Sequence, residues 1–186
     1  MIIPKERNRW SVLILDFVEE VSIAIIIFLM LCTFVIRVVV VTGPSMEPNY
    51  LEGDRLLILN NWGQVEQGDV VVILNVLPEP IIKRVIAREN QTVDFDPVAR
   101  AVLIDGVPLS DRCFGVEEGN TYLPYSILEL MEFPQTVPKG CVFVLGDNRP
   151  VSEDSRFVDV GMIDKRHILG KAVFRIFPSE RIGPAR

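Results

Sequence analysis

The stretch IRVVVVTGPSMEP, Ile36–Pro48, divides two kinds of sequence, and its reading decides the fold. Before it lies a long apolar run; after it come short apolar segments broken by turn residues. The β-branched valines at 38–41 suit either the end of an apolar helix or a first β-strand. Gly43, Pro44 and Pro48 then impose a tight, irregular path that holds Ser45 in one orientation. Taken alone, this is a surface turn with an idle hydroxyl.

Upstream, VSIAIIIFLMLCTFVI, Val21–Ile36, carries no charged residue and no polar stripe of the kind a core helix shows. Extended through the valines it reaches about 30 Å at 1.5 Å per residue, the thickness of a bilayer core. Residues 21–41 therefore read as a transmembrane anchor. Lys5, Arg7 and Arg9 precede the run and only Arg37 lies at its far end. The positive-inside rule thus puts residues 1–20 in the cytoplasm and residues 42–186 across the membrane. A cleavable signal peptide is the competing reading, but the run is long for one and no small-x-small site follows it.

Downstream, RLLIL, DVVVIL, IIKRVIA, AVLI, CVFVL and KAVFRIF are strand-length and rich in β-branched or aromatic residues. AVLIDGVPL reads as a hairpin around Asp105 and Gly106. Only YSILELMEF, Tyr125–Phe133, has a helical look. Residues from about 88 to 139 are more polar and irregular, and read as an insertion between two core strands. The expected fold is mainly β: one N-terminal transmembrane helix, then an all-β domain with a smaller inserted β subdomain.

Among 186 residues the net charge is −6, which gives no electrostatic footprint for nucleic acid. Three cysteines are too few and too scattered for a disulfide framework, although a Cys113–Cys141 bridge stays open. No Cys/His cluster has metal-ligand spacing.

A serine attacks a carbonyl only if a base removes its proton. The single histidine, His167, sits in the charged stretch GMIDKRHILG and reads as solvated. Lys83 is the alternative, lying mid-strand in EPIIKRVIA. Strand alternation sends Lys83 and Arg84 to opposite faces, so one of them meets a buried or functional surface if both faces are covered. Burial disfavours the ammonium and can make the amine a usable base, although an exposed edge lysine is the commoner case. A third stretch, GDNRPVSEDSR, crowds Asp147, Asn148, Arg149, Ser152, Asp154, Ser155 and Arg156 behind CVFVL. Such a run is usually a solvated loop; it can also orient a buried amine.

With PSMEP, KRVIA and GDNRPVSEDSR in this order after an apolar N-terminal run, the chain resembles the bacterial type I signal peptidases. These are membrane-anchored Ser/Lys proteases that trim signal peptides from exported proteins. The similarity runs from about Val38 to Pro178, apart from parts of the insertion. It implies Ser45 as nucleophile, Lys83 as general base and Ser152 as the residue that orients the lysine. It also implies two supporting ion pairs, Arg84 with Asp147 and Asp154 with Arg156.

Some members place an oxyanion-hole serine where this chain has Gly43, so the hole here would rely on backbone N–H groups, chiefly that of Ser45. Many relatives continue KRVIG and a PGD turn, whereas this chain reads KRVIAREN. Val39, Val41, Met46 and Ile82 are expected to line shallow apolar substrate pockets, with the peptide adding to a strand edge. The implied partners are signal peptides of exported preproteins and membrane lipid. The implied enzyme is monomeric, uses no cofactor and sits in the plasma membrane or an internal bacterial membrane. A mitochondrial inner-membrane peptidase, a self-cleaving Ser/Lys repressor and a non-catalytic peptide-binding β module are the rival readings; the anchor and the lack of a DNA-binding segment argue against the repressor.

Overall fold

A computed structural model describes residues 9–60, 63–121, 123 and 132–185. The chain forms two compact units, residues 1–37 and 38–186. The first holds α1, Arg9–Phe34, a helix of 26 residues. It starts earlier than the apolar run because Asp16, Glu19 and Glu20 are tolerated within it. It also stops short of the valines, which become β1, Ile36–Val40, paired with β2, Arg55–Leu59. The expected anchor at 21–41 is corrected to that extent: a neighbouring strand gives β-branched residues a pleated partner that the helix cannot. The uncharged part of the helix, Val21–Phe34, spans about 21 Å, short of a bilayer core of about 30 Å. No helix among the described residues is long and apolar enough to cross a membrane.

The second unit is mainly β. It continues with β3 (Val70–Ile73), β4 (Ile81–Arg88), β5 (Thr92–Asp96), β6 (Ala101–Ile104), β7 (Val107–Pro108) and β8 (Gln135–Thr136). Then come β9 (Cys141–Leu145), β10 (Ile163–Asp164), β11 (Ile168–Phe177) and β12 (Gly183–Pro184). Among the described residues the larger sheet runs β1-β2-β11-β3-β4-β9-β10, with β12 on β11. The long β11 is shared: its first half pairs with β3 and its second with β2, and register shifts in both ladders bend it.

β4 lies inside this sheet, with Val71 opposite Lys83 on one side and Leu145 opposite Arg84 on the other. Residues Ile82 to Ala87 are all buried. One face carries the cluster of Met46, Tyr50, Val70, Val72 and Ile82, and further clusters form around Val85 and Ile86. Both faces are therefore covered, and each of the two basic residues must be accommodated inside.

A second sheet, β7-β6-β5-β8, lies in sequence between β4 and β9, which pair directly with each other. Its β6–β7 hairpin turns on Asp105 and Gly106, both with positive φ (52° and 77°). β5 had no counterpart among the expected strands. The expected helix Tyr125–Phe133 lies outside the described residues except for its last two. Of these, Phe133 packs edge-on against Phe95, with ring centroids 4.7 Å apart. Cys113 and Cys141 are both free thiols.

Candidate active site

Three segments converge: the turn that carries Ser45, the middle of β4, and the loop after β9. The turn is held from below and from the side. Met46 and Tyr50 are buried in the core, 1% exposed each, and act as its footing. Glu47 N–H donates to Pro44 O and Tyr50 N–H to Met46 O (3.1 and 2.9 Å). Asn148 clamps its outer edge, with its backbone N–H on Ser45 O (3.0 Å) and its side-chain amide on Pro44 O (3.1 Å). Gly43 has φ +77°, a conformation that L side chains rarely adopt.

Lys83 Nζ donates a hydrogen bond to Ser45 Oγ at 2.8 Å. The lysine is only 3% exposed. Desolvation lowers its amine to about 8, with Arg156 helping and the carboxylates of Asp154, Glu153 and Asp147 opposing. An amine in that range is neutral in a useful fraction near physiological pH, which an exposed lysine is not.

Arg84, on the opposite face of β4, is bound by Asp147 through both ends of its guanidinium, Nε to Oδ1 at 2.7 Å and Nη2 to Oδ2 at 2.6 Å. It also donates to Gly68 O and lies over the Phe114 ring. Burial works against this cation, but the hydrogen bonds and charge of Asp147 outweigh it and hold Arg84 above its ordinary range. Asn49, just beyond the serine turn, donates to Asp147 Oδ2 at 2.8 Å and to Phe114 O at 2.7 Å.

In the loop, Asp154 accepts from Arg156 at 2.8 and 2.9 Å, and from the backbone N–H of Gly146 at 3.0 Å. Ser152 lies in the same loop and is 2% exposed. Its hydroxyl is buried without a hydrogen-bond partner, so it does not hold the Lys83 amine here. It packs instead against Gly146, where a Cβ would stand 2.2 Å from Ser152 Oγ. A buried hydroxyl left unpaired is costly, which marks the position as one that another demand maintains.

Ser45 and Lys83 line a cavity of about 660 Å³. Val39, Val41, Met46 and Ile82 all contribute to its lining. Leu77, Pro78, Glu79 and Pro80 line it too, and nothing in the sequence singled them out. Also missed were Gly146, Asn148 and Asn49 as supports, and a third buried ion pair, Arg149 with Asp111. Gly146 and Asn148 stand in the GDNR stretch and gave some signal. Nothing marks Asp111, an ordinary acid in the insertion. His167 lies in the 3-10 turn Lys165–His167, where its carbonyl accepts from Leu74 N–H at 2.8 Å.

A β-domain that sets a serine hydroxyl against a buried lysine amine, in the wall of a largely apolar cleft, has the parts of a serine hydrolase. Residues 14–177 match the family model described as signal peptidase, peptidase S26, and the chain belongs to that family of serine endopeptidases. Signal peptidase IB of Staphylococcus aureus (strain COL) is 27% identical, over 89% of this chain and 90% of that protein. Signal peptidase I of Bacillus licheniformis is 30% identical, over 96% of each. A crystal structure of a signal peptidase I from Enterococcus faecalis V583 is 29% identical, with a TM-score of 0.45 over 59% of this chain and 97% of that one.

Proposed function

We propose that this chain removes signal peptides from exported preproteins, with Ser45 as nucleophile and Lys83 as general base. The observation that carries the reading is the 2.8 Å contact between Lys83 Nζ and Ser45 Oγ. Neutral Lys83 takes the hydroxyl proton as Oγ bonds to the scissile carbonyl carbon. The resulting ammonium gives that proton to the departing amine as the C–N bond breaks. The amine, neutral again, activates the water that hydrolyses the acyl-serine.

The backbone N–H of Ser45, set by the path through Gly43, receives the developing oxyanion. Ser152, whose buried oxygen has no partner, accepts from the Lys83 ammonium when the charge forms. Arg84 with Asp147, and Asp154 with Arg156, hold β4 and the loop in register. The substrate lies extended in the cleft, with small residues one and three positions before the cut against Val39, Val41, Met46 and Ile82.

The proposal includes membrane attachment through α1, with the N terminus cytoplasmic and the β unit outside. Ile23, Ile26, Phe28 and Leu29 are each at least half exposed on this helix, and Lys5, Arg7 and Arg9 precede its apolar run, against Arg37 alone beyond it. The anchor would keep enzyme and preprotein in one plane.

Incubation of detergent-solubilised protein with a preprotein tests the reading, followed by N-terminal identification of the product. Cutting after a small-x-small site is expected, unaffected by a chelator and lost in both Ser45→Ala and Lys83→Ala. Unchanged cutting in either variant rejects the dyad. Peptide binding without any cutting would make the chain a tethered binding module.

A further inference from the structure

We propose that Asp111, in the inserted segment, is a positioning residue for the Ser45–Lys83 pair, acting through Arg149 and Gly146; this rests on the catalytic reading of that pair. Asp111 opens the 3-10 turn Asp111–Phe114, which lies between β7 and β8 in sequence and is 38 residues from Arg149. Its carboxylate receives both terminal nitrogens of the Arg149 guanidinium, at 2.6 and 3.1 Å. The two side chains are 2% and 0% exposed. Thr121 Oγ1 accepts from the same guanidinium.

The third nitrogen of the fork does the connecting. Arg149 Nε donates to Gly146 O at 3.1 Å, while Gly146 N–H donates to Asp154 Oδ2 at 3.0 Å. Gly146 is thus gripped on both sides of its Cα, and a side chain on that Cα would run into the site. A Cβ there would lie 2.5 Å from Ser45 O and 2.2 Å from Ser152 Oγ. A shift of Gly146 is therefore felt by the serine turn, with little slack in between. The same 3-10 turn meets the other two segments of the site: the Phe114 ring lies 5.3 Å from the Arg84 guanidinium, and Phe114 O accepts from Asn49.

A buried ion pair is a poor way to gain stability, because desolvation consumes most of the attraction. It is a good way to fix direction, since the planar fork of arginine binds a carboxylate at two points and leaves Nε aimed along a third. The inserted lobe is in this sense part of the catalytic apparatus.

The test uses the full-length, detergent-solubilised protein and a preprotein cut, with Asp111→Asn and Arg149→Lys compared with wild type and with Ser45→Ala. Arg149→Lys keeps a cation opposite Asp111 but has no Nε to reach Gly146 O, so it carries the test if Asp111→Asn does not fold. Both folded variants are expected to lose at least about tenfold in kcat with KM within about threefold, as a small misplacement of reacting atoms would give. A purely structural role predicts lower melting temperatures with wild-type kcat in the folded fraction. Wild-type kcat in folded Arg149→Lys, or an effect confined to KM, overturns the inference. If Ser45→Ala is inactive in the same assay, the dyad survives that result; if Ser45→Ala cuts normally, both readings fall.

Discussion

Gly146 lies against Ser152 and the carbonyl of Ser45 with no room for a side chain between them. One of the two obstacles is backbone, at 2.5 Å from an added Cβ, so it cannot swing aside. Gly146→Ala is expected to destabilise the protein by about 1–3 kcal/mol, the usual range for overpacking. It should also cost about a hundredfold in kcat/KM, since the displaced part is the serine turn itself. Urea denaturation and peptide kinetics on the same preparation read the two effects.

Ser152→Ala separates stability from activity. Removing a buried hydroxyl that has no partner relieves an unpaid desolvation, so the variant should be at least as stable as wild type, within about 1 kcal/mol. Activity should nonetheless fall tenfold or more, if the oxygen serves the Lys83 ammonium during turnover. A variant that melts like wild type and cuts like wild type would leave Ser152 with no role in the reaction.

Lys83 gives a pH dependence of defined sign. Burial lowers its amine from the ordinary 10.5 to about 8 in the folded protein, so between those limits the unfolded chain binds more protons. The destabilisation is complete below pH 8 and is relieved as pH rises toward 10.5. Lys83→Met should therefore stabilise the protein at pH 7 by up to about 3 kcal/mol, converted at 1.36 kcal/mol per pH unit. That advantage should shrink above pH 8, as denaturation at several pH values would reveal. Wild-type kcat should rise with pH through about 8 and then level off.

Breaking the pair Arg84–Asp147 costs more than replacing both of its members. Asp147→Ala leaves a buried guanidinium, 1% exposed, without its two strongest acceptors and should cost about 3–5 kcal/mol. Replacing both residues, as Arg84→Met with Asp147→Leu, should cost clearly less than the single change. Chemical denaturation of the single and double variants settles the comparison.

Much of this organisation is legible in the sequence, for reasons of residue type. RLLIL, IIKRVIA and CVFVL read as strands because β-branched runs of that length have few other uses, and they form β2, β4 and β9. TVDFD lies in the stretch that reads as polar and irregular, and two aspartates disfavour a strand; pairing with β6 and β8 overrides that preference. The valines at 38–40 were ambiguous because only the presence of β2 decides between helix and strand. Ser45 was legible as a hydroxyl in a rigid turn and Lys83 as an amine in an apolar strand. Asn49 and Asp111 were not, because what singles them out is closeness across 98 and 38 residues of chain, which local pattern does not encode. The unpartnered Ser152 is a geometric fact of the fold, invisible to any reading of residue types.

The central claim is that the Lys83 amine gives up its charge easily beside Ser45. Lysine labelled with ¹⁵N at Nζ, with the Lys83 resonance assigned by its loss in Lys83→Met, reports that titration directly by NMR. A midpoint near pH 8 is expected. A Lys83 resonance that stays protonated beyond pH 10, as for an exposed lysine, would contradict the account.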